Sequence, residues 1–383
     1  MIAVVVGWDI GGANVKAARL ASAGDDVISG LARTTCGASS GAAGPITGVR
    51  GTARPRPGLS STVPGPRVAV RPFALWREPD RLAAVLTEVG AELGAADVMA
   101  ITMTAELADC FASKREGVCF VLDAFRRAFP DAAAWVYGLD GSFHGLAAAQ
   151  REPLRFAAAN WLATATWIAQ RAPDALLIDV GSTTTDVVPI VGGRVRARGR
   201  TDTERLALGE LVYTGILRTP VCALIRRVPL RGAWCRVAAE HFAIAADAYL
   251  WLRRIESAEY SCETPDGRGT TRHDAGRRLA RMVCGDHESL SPEDITGIAR
   301  RIIAAQTRVI ASAVTDVLAG LRAGAPSSAV IAGAGYRLAA TVARRAGLDV
   351  LRLEHLAGSI QTPAVSAAAP AAAVANLLVR FLA

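Results

Sequence analysis

Two glycine-rich turns, each headed by an aspartate at the end of an apolar run, constrain this chain more than any other feature. The first, Asp9-Ile-Gly-Gly-Ala-Asn-Val-Lys16, follows Ile2-Ala-Val-Val-Val-Gly-Trp8. The second, Asp179-Val-Gly-Ser-Thr-Thr-Thr-Asp186, follows Ala175-Leu-Leu-Ile178 and begins 170 positions later. Each reads as strand, tight turn, strand. Glycine lets the backbone approach an anion closely, and successive amide N–H groups in such a turn form a nest for phosphate oxygens. An aspartate at the strand end is placed to hold a divalent cation that neutralises those oxygens. A third junction, Ala329-Val-Ile-Ala332 running into Gly333-Ala-Gly-Tyr336 and a helix, can turn a helix N-terminus toward the same ligand. The recurrence predicts two related halves clamping a di- or triphosphate. The expected phosphate contacts are Gly11, Gly12, Ala13, Asn14, Gly181, Ser182, Thr183, Thr184, Gly333 and Gly335; the expected metal ligands are Asp9, Asp179 and Asp186.

A chain of 383 residues is long enough for two domains, each with its own core. We expect the first over residues 1–172 and the second over 173–383, with the last helix packing back on the first. After the first turn, Val15 to Ser22 continues as a strand, and a third strand is expected near Val27 to Thr35. Residues 37–72 turn to Gly, Pro, Ser and Arg without periodicity and read as a surface insertion. Helices are expected at Arg81–Leu93, Val118–Phe129, Pro153–Gln170, Ala238–Arg254 and Ser291–Leu321. Strands are expected at Asp97–Thr104, Ala133–Leu139, Thr185–Val191 and Val195–Gly199.

Of the 43 Lys and Arg residues only Lys16 and Lys114 are lysines, as though lysine survives only where a compact ammonium is needed. Lys16 ends the first turn, where a point charge on phosphate is the expected use. Lys114 follows the carboxylates Glu106 and Asp109, which sit three residues apart and would share a helical face. The net charge of +8 is scattered and aromatic residues make up only 5%, which argues against nucleic acid and for a solvated basic surface that favours anionic substrates. Arg194-Val-Arg-Ala-Arg-Gly-Arg200 alternates as the exposed face of a strand does. Seven cysteines without a Cys-x-x-Cys pair point to reduced thiols, and Cys262, His273, Cys284 and His287 match no zinc spacing. Neither a signal peptide nor an uninterrupted membrane span is read, so a cytoplasmic location is expected.

The three turns resemble the phosphate and adenosine loops of the actin, sugar-kinase and Hsp70 superfamily. That likeness implies an α/β fold of two ribonuclease-H-like domains around a central phosphate-binding cleft. Gly7-Trp-Asp-Ile-Gly-Gly-Ala-Asn-Val-Lys16, Thr102-Met-Thr-Ala-Glu-Leu-Ala-Asp109, Asp179–Asp186 and Thr201-Asp-Thr-Glu-Arg-Leu-Ala-Leu-Gly-Glu210 are similar to its hydantoinase/oxoprolinase branch. Within that branch they resemble the tetrahydromethanopterin-linked C1-transfer proteins of methanofuran biosynthesis, over nearly the whole chain outside the insertion. The resemblance implies transfer of an aminomethylfuran-methyl group from its diphosphate to the phenol oxygen of a tyramine or tyrosine derivative. Mg2+ or another divalent cation would be the cofactor, and ATP is not expected. Lys16 would neutralise the leaving group, Glu106 or Asp109 would take the phenol proton, and Lys114 would steady the phenoxide or a substrate carboxylate.

Two other readings use the same fold. One is an ATP-dependent small-molecule kinase or oxoprolinase-type hydrolase; the other is a nucleotide-gated binding or regulatory module. Fold does not choose among them, since function resides in the site. Partners are expected to be the small-molecule diphosphate and phenol, without nucleic acid or membrane, and the oligomeric state is open.

Overall fold

A computed structural model describes residues 4–21, 67–321, 324–356 and 363–383. The first sheet comprises β1 (Val4–Gly11), β2 (Asn14–Ala21), β3 (Arg67–Pro72), β4 (Val98–Thr104), β5 (Ala134–Tyr137) and β6 (Phe143–Gly145), in the order β3-β2-β1-β4-β5-β6. β1 pairs antiparallel with β2 and parallel with β4. Helices α1 (Leu82–Leu93) and α2 (Lys114–Ala128) follow β3 and β4, and α3 (Asn160–Ala169) leads to the second half.

The second sheet repeats the plan. It comprises β7 (Ala175–Val180), β8 (Thr185–Val191), β9 (Arg194–Val195) and β10 (Leu211–Val212), with α4 (Asp202–Ala207) between β9 and β10. A separate hairpin, β11 (Arg227–Leu230) with β12 (Ala233–Arg236), precedes α5 (Ala245–Trp251), α6 (Arg272–Arg281) and α7 (Pro292–Ala319). β13 (Ser328–Ala332), α8 (Tyr336–Arg345) and β14 (Asp349–Arg352) complete the sheet, and α9 (Ala369–Leu382) ends the chain. The order β10-β8-β7-β13-β14 again sets an antiparallel hairpin beside parallel strands. This is the duplicated ribonuclease-H-like plan of the actin and sugar-kinase fold.

The halves share one apolar layer. Trp161, Leu162, Ala165 and Ile168 of α3 cluster with Ala371, Val374, Ala375 and Leu378 of α9, and with Val5, Val98, Leu177, Val188 and Val330 of both sheets. Alanine suits α9 because it allows close approach without side-chain entropy loss. The approach is closest at Gly7 of β1, where an added Cβ would fall within 2.9 Å of Ala375 Cβ and would overlap the Ala371 carbonyl oxygen. The C-terminal helix therefore packs on the first sheet. α7 is long and apolar enough to cross a bilayer by composition, but half of its most apolar stretch is buried inside the second half.

Several expectations need correction. Residues 67–72, read as the end of an insertion, form β3: Val68 packs against the apolar layer between the halves and Ala69 into the core of the first half, while Arg67, Val70 and Pro72 are exposed, so no clean alternation marks the strand. The strand expected near Val27–Thr35, Cys36 and the remainder of the insertion lie outside the described residues. The helix expected from Pro153 begins only at Asn160, because Ala158 adopts φ 49° and breaks the run. The strand expected at Val195–Gly199 stops at Val195, although residues 194–200 do alternate in exposure. There the amides of Arg198 and Gly199 donate to the buried Glu210 carboxylate at 2.7 and 2.9 Å instead of to a strand. The helix expected from Ala238 is confined to Ala245–Trp251.

Gly7→Ala should lower stability by about 1–3 kcal/mol, because the obstacle includes backbone and cannot rotate away. Gly297→Ala, on α7 with open space around the new Cβ, should raise it by roughly 0.5–1 kcal/mol. Chemical denaturation of both variants checks this; equal effects would show that the α9 contact is loose.

Candidate phosphate-binding cleft

The two hairpins place their charges in equivalent registers. Asp9 lies opposite Lys16 across β1 and β2, and Asp179 lies opposite Asp186 across β7 and β8. In the first hairpin the pairing produces an ion pair, Lys16 Nζ to Asp9 Oδ2 at 3.4 Å. In the second, two carboxylates face each other, and the countercharge comes from elsewhere. Arg205 of α4, buried to 1% exposure, donates to Asp186 Oδ1 at 2.9 Å and to the Glu210 carbonyl at 2.8 Å. Its guanidinium lies 4.0 Å from the centre of the Trp161 ring, which shields it from water.

Both turns have their carbonyls covered and their amides open. Leu75 and Phe73 donate to the carbonyls of Gly12 and Ala13, each at 3.0 Å. Ile216 donates to Gly181 at 2.9 Å, and Leu217 and Arg218 donate to Ser182 at 3.1 and 3.0 Å. The second cover depends on Gly215, whose added Cβ would come within 2.5 Å of the Thr183 nitrogen. Among the described residues no acceptor takes the amides of Gly12, Ala13, Ser182, Thr183 or Thr184, whereas Gly181 donates to Thr184 within its own turn. Two nests of open donors, each on a partly exposed turn, are suited to anionic oxygens.

Gly333 and Gly335 differ from that pattern. Their amides already donate, to the Ser366 carbonyl at 3.3 Å and the Val180 carbonyl at 2.8 Å. An added Cβ at Gly333, which has φ 83°, would crowd Asp179 Oδ1, and one at Gly335 would crowd the Val180 side chain. These glycines were expected among the phosphate contacts; in the structure the Gly335 amide and both bare Cα atoms pack the start of α8 against the end of β7, and the Gly333 amide ties the turn to Ser366.

The aspartates fit a hard cation. Burial raises the Asp9 carboxyl above the ordinary carboxylate range, opposed by Lys16. Asp179 is pushed up to about 7 by burial and by the charge of Asp186, with Lys16 opposing and Asp9 adding. Burial likewise raises Asp186, against Arg205. Lys16 and Asp9 of the first hairpin both bear on Asp179 of the second, which places the two hairpins close to one another. Asp9 Oδ1 is buried without a hydrogen-bond partner, as is Oγ1 of Thr102, its register neighbour on β4. Among the described residues no three Asp, Glu, His or Cys side chains form a ready metal cage. Mg2+ commonly relies on one or two carboxylates, water and substrate phosphate, so the unpaired oxygens suit it. Asp186, engaged by Arg205, is the least available of the three expected ligands.

Glu106 and Asp109 do not share a helical face. Both lie in turns between β4 and α2, with Glu106 buried to 1% exposure and Asp109 exposed. Gly117 of α2 permits the burial, since an added Cβ would reach within 2.6 Å of Glu106 Cα. Burial pushes the Glu106 carboxyl up to about 7, with the Asp202 charge adding and Lys114 opposing; Oε2 has no hydrogen-bond partner. Lys114 begins α2 and pairs with Asp202 of α4 at 2.9 Å, joining the halves. Asp202 and Arg205 escaped the sequence reading as site residues. The local signals were the family-like stretch Thr201–Glu210 and, within it, the Thr201/Glu204 capping box that starts α4.

Residues 97–374 match the hydantoinase/oxoprolinase family, and the chain belongs to it. It is 37% identical over 231 residues to the (4-{4-[2-(gamma-L-glutamylamino)ethyl]phenoxymethyl}furan-2-yl)methanamine synthase of Methanocaldococcus jannaschii, an alignment covering 60% of this chain and 68% of that protein. The protein of the same name from Methanococcus vannielii is 40% identical over 124 residues, covering 32% of this chain and 55% of the relative. Among solved structures, a ROK family glucokinase from Streptomyces griseus in complex with glucose and AMPPNP aligns over 98% of both chains, at 13% identity and a TM-score of 0.43.

Because the folded chain holds the Glu106 proton more tightly than the unfolded chain does, this group destabilises the fold as pH rises from about 4.5 to about 7. Glu106→Gln, which cannot ionise, should therefore gain up to about 3 kcal/mol over the parent at pH 8 and little at pH 4. Thermal melts at the two pH values test this, and an equal change at both would show that Glu106 is not held protonated by its surroundings.

Proposed function

We propose that this member of the hydantoinase/oxoprolinase family joins a furanylmethyl diphosphate to the phenol oxygen of a tyramine derivative, releasing diphosphate, in methanofuran-type cofactor synthesis. The reading is carried by one arrangement: two turns with open amides, on hairpins close enough for Asp9 and Lys16 to bear on Asp179, with the buried Glu106 in the same half as the first turn. The relatives' name supports the chemistry, since the product it describes is an aryl ether to a furanylmethyl carbon. It also suggests γ-glutamyltyramine as the acceptor.

On this reading the amides of Gly12, Ala13, Ser182, Thr183 and Thr184 receive the oxygens of the diphosphate, and Lys16 adds a positive charge. Asp9 and Asp179, with Thr102 beside Asp9, would hold Mg2+, which when bound neutralises charge developing on the leaving group. Glu106 takes the phenol proton. The phenoxide oxygen attacks the furanylmethyl carbon as the bond from that carbon to diphosphate oxygen breaks, and diphosphate leaves with the electron pair. A base with a pKa near 7 suits a phenol with an ordinary pKa of about 10, because it is ionised at neutral pH yet still basic. Lys114, held by Asp202, is placed beside Glu106 to favour its ionised form and to steady the phenoxide. Asp109, being exposed, is not assigned the proton transfer.

The test offers the aminomethylfuran diphosphate with tyrosine, tyramine or γ-glutamyltyramine and Mg2+, with ATP in separate reactions, and measures diphosphate release and ether product. Phenol-dependent release without ATP is expected, strongest with γ-glutamyltyramine. Glu106→Gln should reduce kcat by about 10²–10⁴-fold, and kcat/KM of the parent should rise with pH through about 7 as Glu106 ionises. ADP formed from ATP with no furan product would contradict the synthase and favour an ATP-using enzyme.

A further inference from the structure

The cations nearest the two turns are mostly neutralised before any ligand arrives. Lys16 faces Asp9, Arg205 faces Asp186, and Lys114 faces Asp202. A diphosphate entering the cleft therefore meets three aspartates and few uncommitted positive charges. Arg218 is different: among the described residues no carboxylate forms an ion pair with it. Its backbone amide donates to the Ser182 carbonyl at 3.0 Å, which fixes its Cα against the second turn. Its guanidinium lies 4.5 Å from the centre of the Trp76 ring. Trp76 belongs to the other half and directly follows Leu75, whose amide covers the Gly12 carbonyl of the first turn at 3.0 Å. The side chain of Arg218 thus runs from the support of one nest to the support of the other.

A guanidinium that rests its face on an aromatic ring keeps its N–H groups pointing outward in the ring plane, where they can grip phosphate oxygens in a bidentate fork. We propose that Arg218 is an anion-binding residue at the mouth of the cleft, oriented by Trp76, that takes phosphate oxygens of a diphosphate seated on both turns. This deepens the proposed function and rests on it. The competing explanation is that the stack simply holds the halves together, as the neighbouring Arg77–Glu263 ion pair does. The two differ in one respect: a contact that only closes the cleft changes stability but leaves no deficit specific to the anion.

Binding of inorganic diphosphate in the presence of Mg2+, followed by calorimetry on the full chain, separates them. Arg218→Ala should weaken diphosphate about 10- to 100-fold, the range expected for losing hydrogen bonds to a charged group, and Arg218→Lys should recover only part of it. Trp76→Leu should weaken binding by a smaller factor, and Trp76→Phe should restore it, because a ring face is all the stack requires. Inorganic phosphate, which cannot reach both turns, should lose less on Arg218→Ala than diphosphate does. Parental diphosphate affinity in Arg218→Ala, with or without a lowered melting temperature, would overturn the inference alone. Failure of the unmodified protein to bind diphosphate would overturn the reading of the cleft and this inference with it.

Discussion

The site depends on what stands opposite an aspartate across a tight hairpin. In β1 and β2 that position is Lys16, and the pair neutralises itself within the hairpin. In β7 and β8 the equivalent position is Asp186, leaving two carboxylates face to face in a partly buried place. Such a pair would be unstable alone, since like charges in a poorly solvated site raise each other's pKa. Arg205 relieves it, and its burial against Trp161 explains why α4 and the Glu210 strand end must sit where they do. The duplicated fold is therefore symmetric in its backbone and asymmetric in its charge.

On the proposed function, that asymmetry gives the two halves different tasks. The first contributes Lys16, the unpaired Asp9 oxygen and the buried Glu106. The second contributes the hydroxyl-rich turn and the counter-ions Asp202 and Arg205. Neither half has a complete site, and the contacts that bring them together are polar at the cleft and apolar beneath it. Lys114 to Asp202 and Arg218 over Trp76 cross the opening, while α3 and α9 form the dry layer between the sheets. Gly7, two residues before Asp9 on β1, sets how closely α9 can approach the first sheet.

Much of this was legible in the sequence, and the limits have physical causes. Both hairpins announced themselves because every signal was local: an apolar run, an aspartate, glycines and a polar turn. Glu106 and Asp109 were expected on one helical face, but a three-residue spacing places two side chains together only where the backbone is helical. Here turns bury one carboxylate and expose the other. β3 was lost because its burial does not alternate and its surroundings are rich in proline. Gly333 and Gly335 carried a phosphate-loop pattern, yet whether an amide is open depends on which carbonyl packs against it, and Ser366 and Val180 occupy both. Asp202 and Arg205 lie in a stretch that itself resembles the family, but their pairing with Lys114 and Asp186, like the stacking of Arg218 on Trp76, arises only when segments distant in the chain fold together.

On the proposed function both turns grip one diphosphate at the same time. A crystal structure of the protein with Mg2+ and inorganic diphosphate tests it directly. One phosphoryl group is expected on the amides of Gly12 and Ala13 and the other on those of Ser182 to Thr184, with the metal on the Asp9 and Asp179 side. Diphosphate bound on one turn alone, or anchored at the Gly333 to Gly335 junction, would contradict it.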